Sequence, residues 1–240
     1  MQQSPASKKV VVLQSNYIPW KGYFDLIHDA DVFIFYDDVQ YTKNDWRNRN
    51  KIKTRGGACW ITVPVGIDAN RQICEVEIKD SRWQQKHWNT LVHEYGKRPY
   101  FAFYRPFFEE LYLGTQWTNL SVMNQVMTRR IASELLHATT RFEDSRTYQP
   151  RGDNQDRLLD LLVKAAATEY ISGPAAKSYI TPQRFADAGI GLRWKNYSGY
   201  PEYPQAHPPF EHGVSILDLL FNTGPQAATF IWPQRSADAA

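Results

Sequence analysis

Cysteine, charge imbalance and long apolar runs are all scarce in this sequence, and each scarcity removes a class of protein. Two cysteines in 240 residues, Cys59 and Cys74, lack C-x-x-C spacing and are too few for a disulfide framework, so a reducing, cytoplasmic setting is expected. No apolar run approaches the ~20 residues that cross a bilayer, so no transmembrane segment is expected. The apolar stretch at 10–13 is too short for a secretory signal and runs directly into Gln14. Lys and Arg total 28 against 25 Asp and Glu, a net charge of +3. So weak a field does not argue for DNA and gives an aminoacyl-tRNA partner no support. The six histidines do not group as metal ligands, so no metal-ligating residue is assigned. No G-x-S-x-G elbow or other Ser/His/Asp arrangement is present.

What the chain does have is aromatic side chains, 14% of residues, with eight Trp and fourteen Tyr beside an apolar fraction of only 42%. They serve core packing or a stacking surface. Organisation centres on residues 10–53. Two short apolar runs, 10–13 and 32–36, flank a helical segment of about two turns, which is a βαβ opening unit and implies parallel pairing. The strand signal continues at 58–65 and 72–78, with a turn between, while 44–53 reads as a polar loop. Helical periodicity fills 82–137, read as an insertion. A second α/β section follows, with strands near 141, 169 and 190, a helix opened by Thr181-Pro182, and a last helix opened by Ser215. The expected architecture is α/β, with a mostly parallel sheet in one domain over 8–235. The polar ends, 1–7 and 236–240, are expected to be loosely ordered.

Several motifs carry a resemblance. Q-S-N-Y-I-P-W-K-G-Y-F at 14–24, A-D-V-F at 30–33, D-D-V-Q-Y-x-K at 37–43 and W-R-N-R-N-K-I at 46–52 form its first half. Y-I-S-G-P-A-A-K-S-Y-I at 170–180, Y-P-E-Y-P-Q at 200–205 and S-I-L-D-L-L-F-N-T-G at 215–224 form its second. Together they resemble the WbqC-like family, bacterial proteins associated with surface-polysaccharide loci. Ser15 stands where the family's opening usually has proline. The resemblance implies a role in O-antigen or related lipopolysaccharide assembly, by transfer of an amino acid, glycine being the one suggested, to an amino sugar.

Chemistry-bearing residues gather at the ends of the first two strands, where open α/β sheets bind ligands. P-W-K-G-Y-F after a strand resembles the opening of the nucleotidyltransferase α/β fold, in which His-x-Gly-His holds ATP phosphates. Gly22 matches and would admit a phosphate at the helix N-terminus, or else simply ends a turn. Trp20 and Tyr23 occupy the histidine places, so imidazolium is not available there. Asp37 and Asp38 suit Mg²⁺ on a nucleotide, base chemistry toward an amine, or ordinary loop hydrogen bonds. Arg47 and Arg49 share one side of an extended segment, with Asn48 and Asn50 on the other, a pattern for a diphosphate or carboxylate. Ser172, Gly173, Lys177 and Tyr179 follow a strand as a candidate anion-binding turn without Walker spacing.

The leading reading is amide formation on a nucleotide-linked amino sugar, with Gln14, Tyr17 and Asp38 catalytic. Asn16, Trp20, Gly22, Tyr23, Asp37, Gln40, Lys43, Trp46, Arg47, Asn48 and Arg49, together with the 172–179 turn, would contact substrate. Activation would come from ATP with Mg²⁺ or from a pre-activated aminoacyl donor. The alternatives are a metal-dependent glycosyltransferase using Asp37 and Asp38, and a non-catalytic nucleotide-sugar-binding component. Gln14, Tyr17, Asp38 and Arg47 or Arg49 are expected to share one pocket.

Overall fold

The computed structural model describes residues 7–232. Its strands are β1 (Lys9–Leu13), β2 (Val32–Phe35), β3 (Arg49–Thr54), β4 (Gly57–Thr62), β5 (Arg141–Asp144), β6 (Glu169–Ser172) and β7 (Gly191–Trp194). The helices are α1 (Lys21–Asp29), α2 (Arg82–Tyr95), α3 (Phe101–Glu109), α4 (Leu120–Arg130), α5 (Asn154–Lys164), α6 (Pro182–Asp187) and α7 (Ile216–Thr223). β1 and β2 pair in parallel, Val10 against Val32 through Leu13 against Phe35, as the βαβ reading requires. Five strands form an all-parallel sheet in the order β5-β2-β1-β6-β7. Strand order reverses between β1 and β6, and such a switch point opens a crevice at the strands' carboxyl ends.

Both faces of the sheet are covered, which is why β1 and β2 are continuously apolar rather than alternating. Val11, Phe33 and Phe35 join one core with α1, α2, α3, α4 and α7. Val10, Val12, Val32 and Ile34 join the other, with Leu158, Leu161 and Leu162 of α5 and Phe185 of α6. The helices of the expected insertion thus pack into the same core as α1. Pro106 lies inside α3 rather than at its start. α3 and α4 each run on into a wider π-helical turn, Glu110–Gly114 and Ile131–Leu135.

Two strand assignments change. Residues 49–54 are not loop but β3, paired antiparallel with β4 around a Thr54–Gly57 turn. Their buried side chains are Asn50, Ile52 and Lys53, so only one aliphatic residue marks the strand in the sequence. Residues 72–78 instead form a 3₁₀ turn, Ile73–Glu75, flanked by single bridges from Gln72 to Gln40 and from Glu77 to Asn119. Ile73, Val76 and Ile78 are buried, but no partner strand runs alongside them. The loosely ordered ends expected at 1–7 and 236–240 lie outside the described residues, except Ser7. No described helix is long and apolar enough to cross a membrane.

Candidate functional site

A cavity of about 930 Å³ opens at the carboxyl ends of β1, β2 and β6, at the switch point. Gln14 follows β1, Asp38 and Gln40 follow β2, Ser172 ends β6 and Gly173 follows it, and all five line it. Tyr179 reaches it from the turn beyond, 69% exposed. The turn before α5 and the start of that helix close the opposite side with Gly152, Asp153, Asn154 and Arg157. A helix N-terminus presents unpaired N–H groups and a positive dipole end, which together with Arg157 favour an anion and outweigh the single opposing charge of Asp153 at the N-cap.

Asp38 and Asp153 are the carboxylates that line the cavity, and Asp38 is the one paired with an arginine. It accepts a hydrogen bond from Arg157 Nη2 at 2.6 Å and another from the Ser145 hydroxyl. Tyr36 lies beside the pair, and burial pushes its phenol up to about 12, against the opposing pull of the Arg157 charge. Arg157, Ser145 and the α5 terminus were not picked out from the sequence. Their signal is faint: a G-D-N turn opening an amphipathic helix, with one arginine a turn inside it.

Asp37 points the other way. It is fully buried and accepts hydrogen bonds from Ser15 N at 2.8 Å, Ser121 Oγ at 2.5 Å and Gln125 Nε2 at 3.2 Å. The adjacent carboxylates therefore face different environments and do not converge on one ligand. Among the described residues no three His, Cys, Asp or Glu side chains group as metal ligands.

Tyr17 is absent from the cavity wall. It is fully buried beneath α2, with its hydroxyl 2.8 Å from His87 Nδ1 and 2.7 Å from the Tyr112 hydroxyl. The expected common pocket of Gln14, Tyr17, Asp38 and an arginine thus loses Tyr17, because the backbone turns inward after Gln14. Asn50 secures that turn by donating to the Tyr17 and Ile18 carbonyls, and Ile18 sits at a φ of 35°. Tyr23 is also buried; its hydroxyl donates to the Gln14 carbonyl. Asn16 keeps a buried Oδ1 without a partner.

Gly22 is explained by packing. A Cβ there would stand 2.2 Å from Cζ2 of the Trp20 indole, which lies edge-on to Tyr197 and Tyr200. The N-terminus of α1 is covered by the 197–216 segment: Ile216 N donates to the Pro19 carbonyl, and the buried Lys21 ammonium is ringed by Tyr200, Tyr203 and Phe210. The nucleotidyltransferase likeness finds no support at this helix end. Gly22→Ala is expected to cost about 2 kcal/mol by overpacking, read as a lowered midpoint in urea with ligand affinity unchanged. A stable variant that had lost nucleotide binding would restore the phosphate role.

The remaining residues divide. Arg47 is held by Asp45 at 2.9 Å and donates to the Gln14 side chain on the cavity wall. Gln40 donates to the Ala69 carbonyl. Asn48 is buried and donates to the Val63 carbonyl. Lys43 is exposed, away from the cavity lining. Lys177 is exposed as well, with its ammonium 5.7 Å from the Trp194 ring. Trp46 and Arg49 belong to the face of the β3–β4 hairpin.

The family model that matches the chain, over residues 14–230, is that of the WbqC-like protein family. A relative from Mycobacterium tuberculosis (strain ATCC 25618 / H37Rv), carrying the name Uncharacterized protein Rv1507c, is 46% identical over 226 residues, 93% of this chain and 97% of the relative. No solved structure matches. With its opening motif, the ends of its central strands and its last helix all inside the matched span, the chain belongs to the WbqC-like protein family.

Proposed function

We propose that this protein is an enzyme of bacterial surface-glycan assembly that transfers an amino acid, glycine in the first instance, to the amine of a nucleotide-linked amino sugar. The observation that carries the reading is the switch-point cavity, which pairs a carboxylate with a guanidinium and a helix N-terminus in a volume of about 930 Å³. That volume lies at the upper end of small-molecule sites and suits a nucleotide sugar better than a free monosaccharide.

The arrangement supports a division of labour. The α5 terminus and Arg157 take the diphosphate, and Gln14 and Ser172 take sugar hydroxyls. A phosphate competing for the Arg157 fork loosens Asp38, whose carboxylate then accepts a proton from the sugar ammonium. The neutral amine attacks the acyl carbon, the C–N bond forms, and the acyl donor's leaving group departs with the electron pair of the broken bond and takes up the surplus proton of the new nitrogen. Activation by ATP with Mg²⁺ or by a pre-charged donor is compatible with the same acceptor site.

Purified protein incubated with UDP- and dTDP-amino sugars, glycine and ATP, and read by mass spectrometry, is expected to yield a glycyl-amide product from at least one sugar. In calorimetric titration, Arg157→Ala is expected to weaken nucleotide-sugar binding roughly 10- to 100-fold, the worth of a charge-assisted hydrogen bond to phosphate. Unchanged affinity in that variant would sink the assignment of the cavity.

A further inference from the structure

We infer that the exposed face of the β3–β4 hairpin binds a single strand of nucleic acid. From Trp46 to Thr62 the sequence holds Arg47, Arg49, Lys51, Lys53 and Arg55 and no acidic residue. The hairpin register sets Lys51 opposite Trp60 and Arg49 opposite Thr62, so Arg49, Lys51 and Trp60 share one face. Trp46 and Trp60 stand 5.0 Å apart, ring to ring, and are 40% and 39% exposed. The Arg49 guanidinium carbon lies 4.2 Å from the Trp60 ring centre and the Lys51 ammonium 5.3 Å.

Two half-exposed indoles side by side give up burial that a packed core would supply, so a partner that covers them gains apolar contact. The cations beside them rest on π-faces, and among the described residues no carboxylate forms a salt bridge with Arg49, Lys51 or Arg55. Their charge is left available to a ligand. An unpaired base stacks on an indole, and the phosphates on either side of it meet the arginine and lysine, which is how single strands are held without sequence preference. A neutral glycan would use the indoles and leave the cations idle; an acidic glycan would use the cations, but its puckered rings cover an indole less fully than a planar base does. A polyanion with flat rings uses both most fully. The face adjoins the cavity wall, since Arg47, next to Trp46, donates to Gln14.

The test is fluorescence anisotropy with a fluorescein-labelled 12-nucleotide single-stranded RNA of mixed sequence and its DNA equivalent, in 50 to 200 mM KCl. Saturable binding that weakens with salt is expected. Trp60→Ala is expected to lose roughly 5- to 100-fold in affinity. Arg49→Gln with Lys51→Gln is expected to flatten the salt dependence by about 1 to 1.5 in slope. Circular dichroism checks that these surface variants stay folded. Three results would overturn the inference: no saturable binding at 50 mM KCl, Trp60→Ala binding as tightly as wild type, or a sulfated oligosaccharide binding as tightly as RNA. The measurement involves no nucleotide sugar and no turnover, so its failure would leave the transferase reading standing, and the reverse holds too.

Discussion

Asp37→Ala is expected to destabilise the protein by about 3–5 kcal/mol, a large part of the stability of any single fold. Asp37 is completely buried and receives a backbone N–H from Ser15, a hydroxyl from Ser121 and an amide from Gln125. Those donors belong to the loop after β1 and to α4, so one carboxylate ties the end of β2 to both. Alanine removes the common acceptor of all three donors, and each donor left unpaired costs about 1–3 kcal/mol. Asp37→Asn keeps the volume but turns an NH₂ toward at least one donor, so it recovers only part of the loss. Equilibrium urea unfolding followed by tryptophan fluorescence measures the difference. Wild-type stability in Asp37→Ala, with nucleotide-sugar binding reduced, would move Asp37 back into the site beside Asp38.

Stability is also expected to fall between pH 6.5 and pH 4 because of His87. The imidazole is 5% exposed, and burial lowers its pKa from 6.5 to about 4. A hydrogen bond to the Thr62 backbone opposes the shift but does not cancel it. Nδ1 stands 2.8 Å from the Tyr17 hydroxyl, which donates to it in the neutral tautomer, and the Tyr112 hydroxyl in turn donates to Tyr17. Protonation at Nδ1 would set a donor against a donor in this chain. Below pH 6.5 the unfolded chain takes up the proton and the folded chain does not, so each step down in pH favours unfolding. The stability is intact above 6.5 and the loss reaches about 3 kcal/mol near pH 4. His87→Gln keeps an acceptor for Tyr17 without a titrating group. It is expected to be less stable than wild type at pH 7, yet to lack this contribution to the pH slope. An identical slope in the variant and the wild type would assign the acid sensitivity to other groups.

The sequence carried the architecture well where burial leaves a period or a run. β1 and β2 are apolar on both faces because the sheet is covered on both, and that continuous pattern survives in a single sequence. Thr181-Pro182 and Ser215 mark helix starts locally, through dihedral preference and a side-chain acceptor, and α6 and α7 begin there. β3 escaped because its inward positions include Asn50, whose burial is justified only by the Tyr17 and Ile18 carbonyls that fold over it. A buried asparagine looks like a loop residue until its partners are in place.

For the candidate site, the sequence determined which strand ends carry polar groups, because a chain leaving a β-strand at the sheet's edge has no ladder partner and must meet water, a ligand or another polar group. Only the tertiary structure decided which of these each residue meets. Asp37 and Asp38 are neighbours with opposite fates, since consecutive side chains leave an extended backbone on opposite sides and one side is filled by α4 while the other is open. Tyr17 went to the core with α2, and Arg157 arrived at the cavity from more than a hundred residues downstream on α5. The near-neutral balance of charge is likewise fixed by composition, whereas the gathering of Arg49, Lys51, Trp46 and Trp60 on one face comes from the β3–β4 register, which no residue specifies alone.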